Sequence, residues 1–478
     1  MKPHIHVGRG VIYLTSAELF FFLTSYITYF FIGRALRPEE FGIFGVVVFL
    51  ASMINTVITT AFQQTISRFV AQDTRYASDV RTKGLLVVLC FSFAITLLYL
   101  ASAGWIASLL NDASLAVFIR ISSALILVSS VFHGYLGYLN GLKRFREHAI
   151  ITYIYSLLRL LLIVSAVWLG YGVKGALVAI ILSPLAFVLV FMFRYSGGRI
   201  SGSVTLRRIF AFAYPLMLFT IVLNLFLNLD LFMVKSLSDE SSANLLAGLY
   251  TAASTLARIP YYLILGLSMV LFPLISESTH ANNHERTRKQ ISRSMRYCLL
   301  FLVPIVAVIS STSRGLLTLV YSAAYAGAAP ALGILIIGNA FFALFVILTT
   351  VVSGSGQPKK SFLISVPLLV LDLILNYLLI TRWGISGAAA GTTIASAAAF
   401  FIAAYYVHRK FKALISAAST IRIIASGAAV YAVSLAVGMQ HVLLPLKFLL
   451  LGSLYLIVLF ISGEVRKDDI RFFRSLVP

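Results

Sequence analysis

Acidic side chains are the scarcest chemistry in this sequence: 16 of 478 positions hold Asp or Glu, against 38 that hold Lys or Arg. All charged residues together make up 11% of the chain, where a soluble domain carries roughly 25%. A fold that faces water on every side is thereby excluded. The acids that fall on turns, Glu39, Glu40, Asp112, Asp239 and Glu240, show no DxD spacing. Glu39 and Glu40 follow Pro38, where a helix start accounts for them. No metal-dependent transfer centre on an exposed loop is left. Cysteine is nearly missing too: Cys90 and Cys298 lie inside apolar runs, with no CxxC spacing and no histidine pattern nearby. Neither a disulfide nor a metal site is expected, and both read as small core residues. A phosphate-cradling glycine–lysine loop is absent as well, so no nucleotide-driven step is expected.

What the sequence has is apolar length. Hydrophobic residues make up 60% of it and the mean hydropathy is +0.96. A helix needs about 20 apolar residues to cross a hydrocarbon core ~30 Å thick. About fourteen such runs recur along the chain: 10–33, 42–65, 84–104, 114–140, 149–170, 173–193 and 209–234, then 246–273, 296–319, 328–352, 360–381, 384–407, 420–438 and 442–462. The fold class read from them is an all-α integral membrane protein. The first run is too long for a signal-peptide core and no small-residue cleavage site follows it, so it is expected to stay in the mature protein.

Charge orients these spans. The formal net charge is +22, and with the termini placed in the cytoplasm about 28 of the 38 Lys and Arg fall on the cytoplasmic side, the positive-inside asymmetry. The clusters are Arg75/Arg81/Lys83, Lys143/Arg144/Arg146, Arg194/Arg199/Arg207/Arg208, Arg286/Arg288/Lys289/Arg293/Arg296 and Arg409/Lys410/Lys412. They read as topology anchors and not as a nucleic-acid surface. A multi-pass protein of the cell (inner, cytoplasmic) membrane with both termini cytoplasmic is expected. The largest loop, 276–295, falls on that side, is polar, and is expected to be partly helical.

The chain repeats itself. GYGVKGALVAIILSP (170–184) matches RWGISGAAAGTTIAS (382–396) at an offset of 212, and FGIFGVVVFLASM (41–53) matches AGLYTAASTLARI (247–259) at 206. Two six-span halves, 1–206 and 207–412, are expected, followed by an extra helix pair and a basic tail at 413–478. An even number of spans leaves both halves in one orientation, the parallel-repeat layout of transporters. The glycine runs suit close helix approach, which is packing and not a site.

With no domain in water, any chemistry must lie between helices. Polar residues recur at helical spacing on six spans. They are Thr15, Glu18, Ser25 and Tyr29 on the first; Ser52, Asn55, Thr56, Thr59 and Gln63 on the second; Thr152, Tyr155 and Arg159 on the fifth. The seventh carries Thr220, Asn224 and Asn228; the eighth Thr251, Thr255, Arg258 and Tyr262; the eleventh Ser361, Ser365, Asp372 and Asn376. Stripes on both halves imply a shared water-filled cavity, against the plainer reading of helix–helix hydrogen bonds. Arg159, Arg258 and Asp372 lie near mid-membrane, where a charge costs roughly 3 kcal/mol or more and has a partner or a task. For the arginines two readings stay open: an internal pair with Asp372 or Glu18, or an anion site, since guanidinium matches phosphate bidentately. Glu18, Asp230 and Asp372 are the candidates for ion coupling or charge pairing. His133 reads as a packing residue. Pro184, Pro215, Pro260, Pro304 and Pro367 fall in or near spans and are expected to kink them.

GRALRPEEFGIFGVV with FQQTISRFVAQ resembles the opening of the polysaccharide transport family, which belongs to the MOP (multidrug/oligosaccharidyl-lipid/polysaccharide) exporter superfamily. DLFMVKSL…AGLYTAASTLARIP, YSAAYAGAAPALGILIIG and NYLLITRWGISGAAAGTTIA resemble its later helices. The likeness covers nearly the whole chain. It implies two six-helix lobes in a V about a central cavity, with the first, second, seventh and eighth helices at the lobe interface. It also implies a flippase that carries an isoprenoid-diphosphate-linked oligosaccharide from the cytoplasmic to the outer leaflet by alternating access, for surface polysaccharide or glycoprotein assembly. Arg258 stands where lipid II flippases carry a cavity arginine on the eighth helix; the first span has Glu18 and no arginine in its interior.

On this reading Arg159 and Arg258 hold the diphosphate. Asn55, Gln63, Asn224, Asn228, Tyr262 and Asn376 face the sugars. The expected partners are the lipid-linked oligosaccharide, membrane lipid and polysaccharide-assembly proteins, with no nucleic acid. No catalytic residue and no cofactor is expected, and Na⁺ or H⁺ coupling stays open. A cation-coupled multidrug exporter of the same superfamily is the rival, and a membrane glycosyltransferase the more distant one.

Overall fold

The computed structural model describes residues 4–73, 76–194, 205–281, 283–437 and 443–464. Among the described residues the regular structure is helix alone. The chain begins with α1 (His4–Ala35), α2 (Pro38–Gln72), α3 (Ala77–Leu109), α4 (Leu115–Gly141), α5 (Phe145–Trp168), α6 (Gly172–Arg194) and α7 (Leu206–Leu237). It continues with α8 (Glu240–Ala257), α9 (Ile259–His280), α10 (His284–Ser311), α11 (Ser313–Val320), a 3-10 turn (Ala323–Ala328) and α12 (Ala329–Gly354). Last come α13 (Pro358–Phe411), α14 (Ala417–Ala436) and α15 (Leu444–Ile461). Of the expected basic positions, Arg75, Arg199 and the tail 465–478 lie outside the described residues.

Twelve of the described helices are long and apolar enough to cross a membrane. One of them, α13, is two spans: Gly384 sits at φ 55° inside it, a backbone that side chains oppose and glycine accepts. The chain therefore turns between limbs 358–383 and 385–411, at the boundary between the expected eleventh and twelfth spans. The eighth span, expected as one run over 246–273, is instead α8 and α9 meeting at Arg258. Pro260 is the reason, because its ring blocks the preceding turn and it offers no N–H. Pro184, Pro215, Pro304 and Pro367 stay inside continuous helices. The polar loop at 276–295 shrinks to the short link between α9 and α10, since both helices run into it.

Packing divides the chain into two compact units, Met1–Thr251 and Ala252–Pro478. In the first, α4, α5 and α6 share a core of Phe132, Tyr135, Leu136, Leu139, Tyr155, Val188 and Phe191. Its rings lock together: Phe132 lies 4.9 Å from Tyr155 and Tyr135 lies 4.8 Å from Phe191, centroid to centroid. Gly137 lets α4 meet α2, for a Cβ there would stand 2.6 Å from the Gln63 carbonyl oxygen. The unit reaches into α8 because α7 packs along α2, and the first turns of α8 touch the start of α2.

In the second unit α12 packs on both limbs of α13 and on α9. The expected glycine run is packing: a Cβ on Gly387 would lie 2.0 Å from the Leu379 carbonyl oxygen on the opposite limb. α14 and α15 dock on α10 through Ala307, Ile423, Val430, Leu451, Tyr455 and Leu459. Cys298 is buried there, as read from the sequence. Cys90 is not a core residue: α3 carries it on its exposed, leucine-rich face.

Candidate functional site

In the first unit α1 and α5 lie side by side, so the stripe ending at Arg159 meets the one containing Ser25. The Arg159 guanidinium donates to Ser25 Oγ. Its Cζ stands 4.6 Å from the Phe21 ring centroid and 5.8 Å from that of Tyr155. Arg159 Nε is buried and has no hydrogen-bond partner. Among the described residues of its unit no carboxylate pairs with the guanidinium: Glu18, the acid on the neighbouring helix, lies on an exposed face of α1 and forms no ion pair with it. A cation held by a hydroxyl and two aromatic faces, with one N–H still free, can accept an anion without first breaking a salt bridge.

The other stripes have an internal economy that spacing does not reveal. On α7, Thr220 donates to the Leu216 carbonyl, Asn224 to Thr220 and Asn228 to Asn224, at 2.8, 3.0 and 2.8 Å. On α5, Thr152 bonds back to His148 and Ser156 to Thr152. These i−4 bonds occupy the hydroxyl donors and one of the two amide donors of each asparagine on their own helices. Asn55 and Gln63 are half-buried on α2. Asp230 is buried and accepts from Tyr250 Oη at 2.6 Å and from the Leu231 N–H at 2.8 Å.

In the second unit Arg258 occupies the corner between α8 and α9, half-buried, with Tyr262 one turn further on. Asp372 and Asn376 are fully buried on the first limb of α13. Asn376 Nδ2 donates to Asp372 Oδ1 at 2.9 Å and reaches Thr392 Oγ1, on the second limb, at 3.3 Å. Asn376 Oδ1 and Ser396 Oγ are buried without hydrogen-bond partners. A carboxylate, an amide oxygen and hydroxyls gathered in one dry place suit a small cation or a proton.

Two polar clusters escaped the sequence reading. At the α7–α8 turn Lys235 is 0% exposed. Its ammonium donates to Asp112 Oδ2 at 2.9 Å and to Asn244 Oδ1 at 2.6 Å. Asn244 Nδ2 donates to the same Asp112 oxygen at 3.0 Å, while Ser114 satisfies Oδ1 through its N–H and hydroxyl. Burial alone would raise the Asp112 carboxyl, but hydrogen bonds from Ser114, Lys235 and Asn244, with the lysine's charge, hold it below its ordinary value. The second cluster lies where α15 ends. Glu464, 0% exposed, takes hydrogen bonds from Arg296 at 2.7 Å and from Ser419, which ties the last helix pair to α10. The partners are 123 and 168 positions apart, and no motif or spacing in the sequence connects them.

The family model described as "Polysaccharide biosynthesis protein" matches residues 7–279, and the MatE model matches residues 215–378. A membrane protein of Methanocaldococcus jannaschii is 22% identical over 438 residues, which span 85% of this chain and 99% of that one. A "Probable low-salt glycan biosynthesis flippase", Agl15 of Haloferax volcanii, is 26% identical over 160 residues, 34% of each chain. Among solved structures, the lipid II flippase MurJ in an inward closed conformation superposes with a TM-score of 0.75 over 98% of this chain and 100% of its own, at 14% identity. An inward-facing multidrug resistance transporter of the MATE family gives 0.69, over 81% of this chain and 94% of its own, at 18% identity.

Proposed function

The chain belongs to the polysaccharide biosynthesis protein family, a transporter family of the MOP superfamily, and from that premise we propose that it is a flippase for an isoprenoid-diphosphate-linked oligosaccharide. The cargo would pass from the cytoplasmic to the outer leaflet, with both termini of the protein cytoplasmic and 1–206 and 207–412 acting as the two repeats. The observation that carries the reading is Arg159: a guanidinium placed mid-span, with no ion pair to an acid of its own unit among the described residues, one free N–H and aromatic walls. That chemistry suits a diphosphate and opposes a cationic drug. Arg258 is assigned to the same headgroup. Asn55, Gln63, Asn224, Asn228, Tyr262 and Asn376 are assigned to the sugars. The relation to Agl15 supports the class of cargo.

Driving force need not come from a nucleotide. Negative charge moving outward across an inside-negative membrane gains about 2.3 kcal/mol per charge per 100 mV, so two uncompensated charges gain roughly 4–5 kcal/mol. The Asp372–Asn376–Thr392 cluster is where we place Na⁺ or H⁺ coupling, if the cargo's own charge does not suffice. The test is translocation in proteoliposomes by Arg159→Ala and Arg258→Ala variants of parental abundance and elution profile. Each is expected to lose about tenfold or more, the loss of one charged hydrogen bond to the headgroup. Parental rates in both variants would overturn the assignment.

One observation favours a second reading. The MatE match spans the buried Asp372 and Asn376, and a buried carboxylate is what a cation-coupled drug exporter needs. Drug resistance on expression, abolished by Asp372→Asn, would decide for that reading.

A further inference from the structure

The Asp112–Lys235–Asn244 cluster joins three segments: the α3–α4 turn, the end of α7 and the start of α8. A fourth meets it through the backbone. A Cβ on Gly42 of α2 would stand 2.1 Å from the Asn244 carbonyl oxygen, and a Cβ on Gly248 would stand 1.9 Å from that of Pro38. Asn244 thus presses its main chain under α2 while its side chain bridges Lys235 and Asp112. Beside it Asn111 Nδ2 donates to the Ser236 carbonyl at 2.7 Å. One turn deeper, Gly45 of α2 lies against Thr251 of α8, which is 0% exposed.

The sequence repeat makes α7 and α8 the opening helices of the second half, so these contacts fasten that half to the first at one end. That end is the one poor in Lys and Arg, the outer face under the positive-inside reading. We propose that Asp112, Lys235 and Asn244 form the latch of the outer gate, closed in this structure, which must part before cargo leaves on the outer side. The proposal rests on the transport reading, yet its test requires no knowledge of the cargo.

The chemistry suits a part that opens and recloses. In the closed state both oxygens of Asp112 are satisfied, and the lysine has two acceptors. A buried pair so arranged fixes geometry while adding little net stability, because the desolvation of its charges offsets their attraction. At a span end water stands close by, and parting would return the ammonium and the carboxylate to it. An apolar contact of the same area would keep its full penalty on opening. The glycines at 42 and 248 supply the fit: the gate closes backbone to backbone, leaving no gap for water between α2 and α8.

The test uses the full chain with Cys90 and Cys298 replaced by alanine and one reporter, Thr251→Cys, sheltered behind the gate. A membrane-impermeant maleimide is added outside the cells, and the labelling rate is compared between parent and latch variants. Asp112→Asn and Asn244→Ala are expected to raise the rate about tenfold, a shift of the gate equilibrium by the value of one or two charged hydrogen bonds. Asn244→Ala removes no charge, which keeps the test open should the Asp112 variant fold poorly. A second reporter, Ser434→Cys, buried in α14 of the second unit near the end that faces outside on the same reading, separates gating from general loosening and is expected to show no rise. Parental rates at Thr251→Cys in both variants would overturn the latch, as would equal rises at both reporters.

Discussion

The two ends of α7 are held to the first half of the chain by opposite chemistries. At the α7–α8 turn the contact is polar and fully paired: lysine, aspartate and asparagine, with glycine backbones in touch. At the beginning of α7 it is aromatic. Phe212 meets Phe69 of α2 and Phe210 meets Phe91 of α3, at 6.2 and 5.6 Å between centroids. Two arginines cap that pair of rings, Arg68 at 4.2 Å over Phe212 and Arg208 at 5.7 Å over Phe69. A polar contact at a span end can trade its partners for water at small net cost, whereas edge-on and tilted rings lose dispersion and apolar burial with nothing in return. The difference teaches where this helix lets go. The polar end is built to release, and the aromatic end to hold.

Four changes would break or sharpen that contrast. The largest effect is expected from Gly248→Val, because its Cβ has no room beside the Pro38 carbonyl. Overpacking typically costs about 1–3 kcal/mol, and here it pushes α8 off α2. Maleimide labelling of Thr251→Cys should then exceed that in any latch variant. Next comes Phe212→Ala at the aromatic end. It removes a ring contact and a cation–aromatic contact together, for about 1–3 kcal/mol. A fall in detergent-solution Tm without faster labelling at Thr251→Cys is the expected signature. Smaller still is Arg68→Ala, at about 0.5–1 kcal/mol for an exposed cation over a half-buried ring, read as a shift of the same Tm.

The smallest effect concerns pH. Asp112 is held below its ordinary carboxylate value, so its contribution to the closed gate is complete above that value and fades as pH falls through the lowered one. Labelling from outside, expressed relative to a fully exposed thiol at the same pH because the thiolate is the reactive form, should therefore stay flat from neutral pH down to about 4, the unperturbed range for Asp, and rise only below it. A rise already near pH 6 would mean that another group governs the closure.

Much of this architecture was legible because lipid permits little else. Apolar runs of span length must be helices, and the breaks fell where glycine and proline stand: at Gly384 between the limbs of α13, and before Pro260. The severity of the second break was not legible, since a proline in a span bends some helices and parts others. Arg159 was legible as a charge out of place, and the structure gave it Ser25, Phe21 and Tyr155 as neighbours. What the stripes on α7 and α5 could not convey is that their hydroxyls and one amide N–H of each α7 asparagine bond to carbonyls of their own helix, because a 3.6-residue period marks a face but not a partner. Asp112–Lys235 and Arg296–Glu464 stayed hidden for a related reason. Each partner alone looks like an ordinary charge at a helix end, and only the fold brings them together across more than a hundred residues.

The central claim is that the mid-membrane arginine serves an anionic lipid-linked cargo. The most direct measurement places the purified protein in proteoliposomes with a fluorescent isoprenoid-diphosphate-linked oligosaccharide, and in parallel with a cationic dye. Translocation of the first, lost in Arg159→Ala and absent for the dye, is the predicted result. Transport of the dye with no movement of the lipid-linked sugar, unchanged by Arg159→Ala, would contradict it.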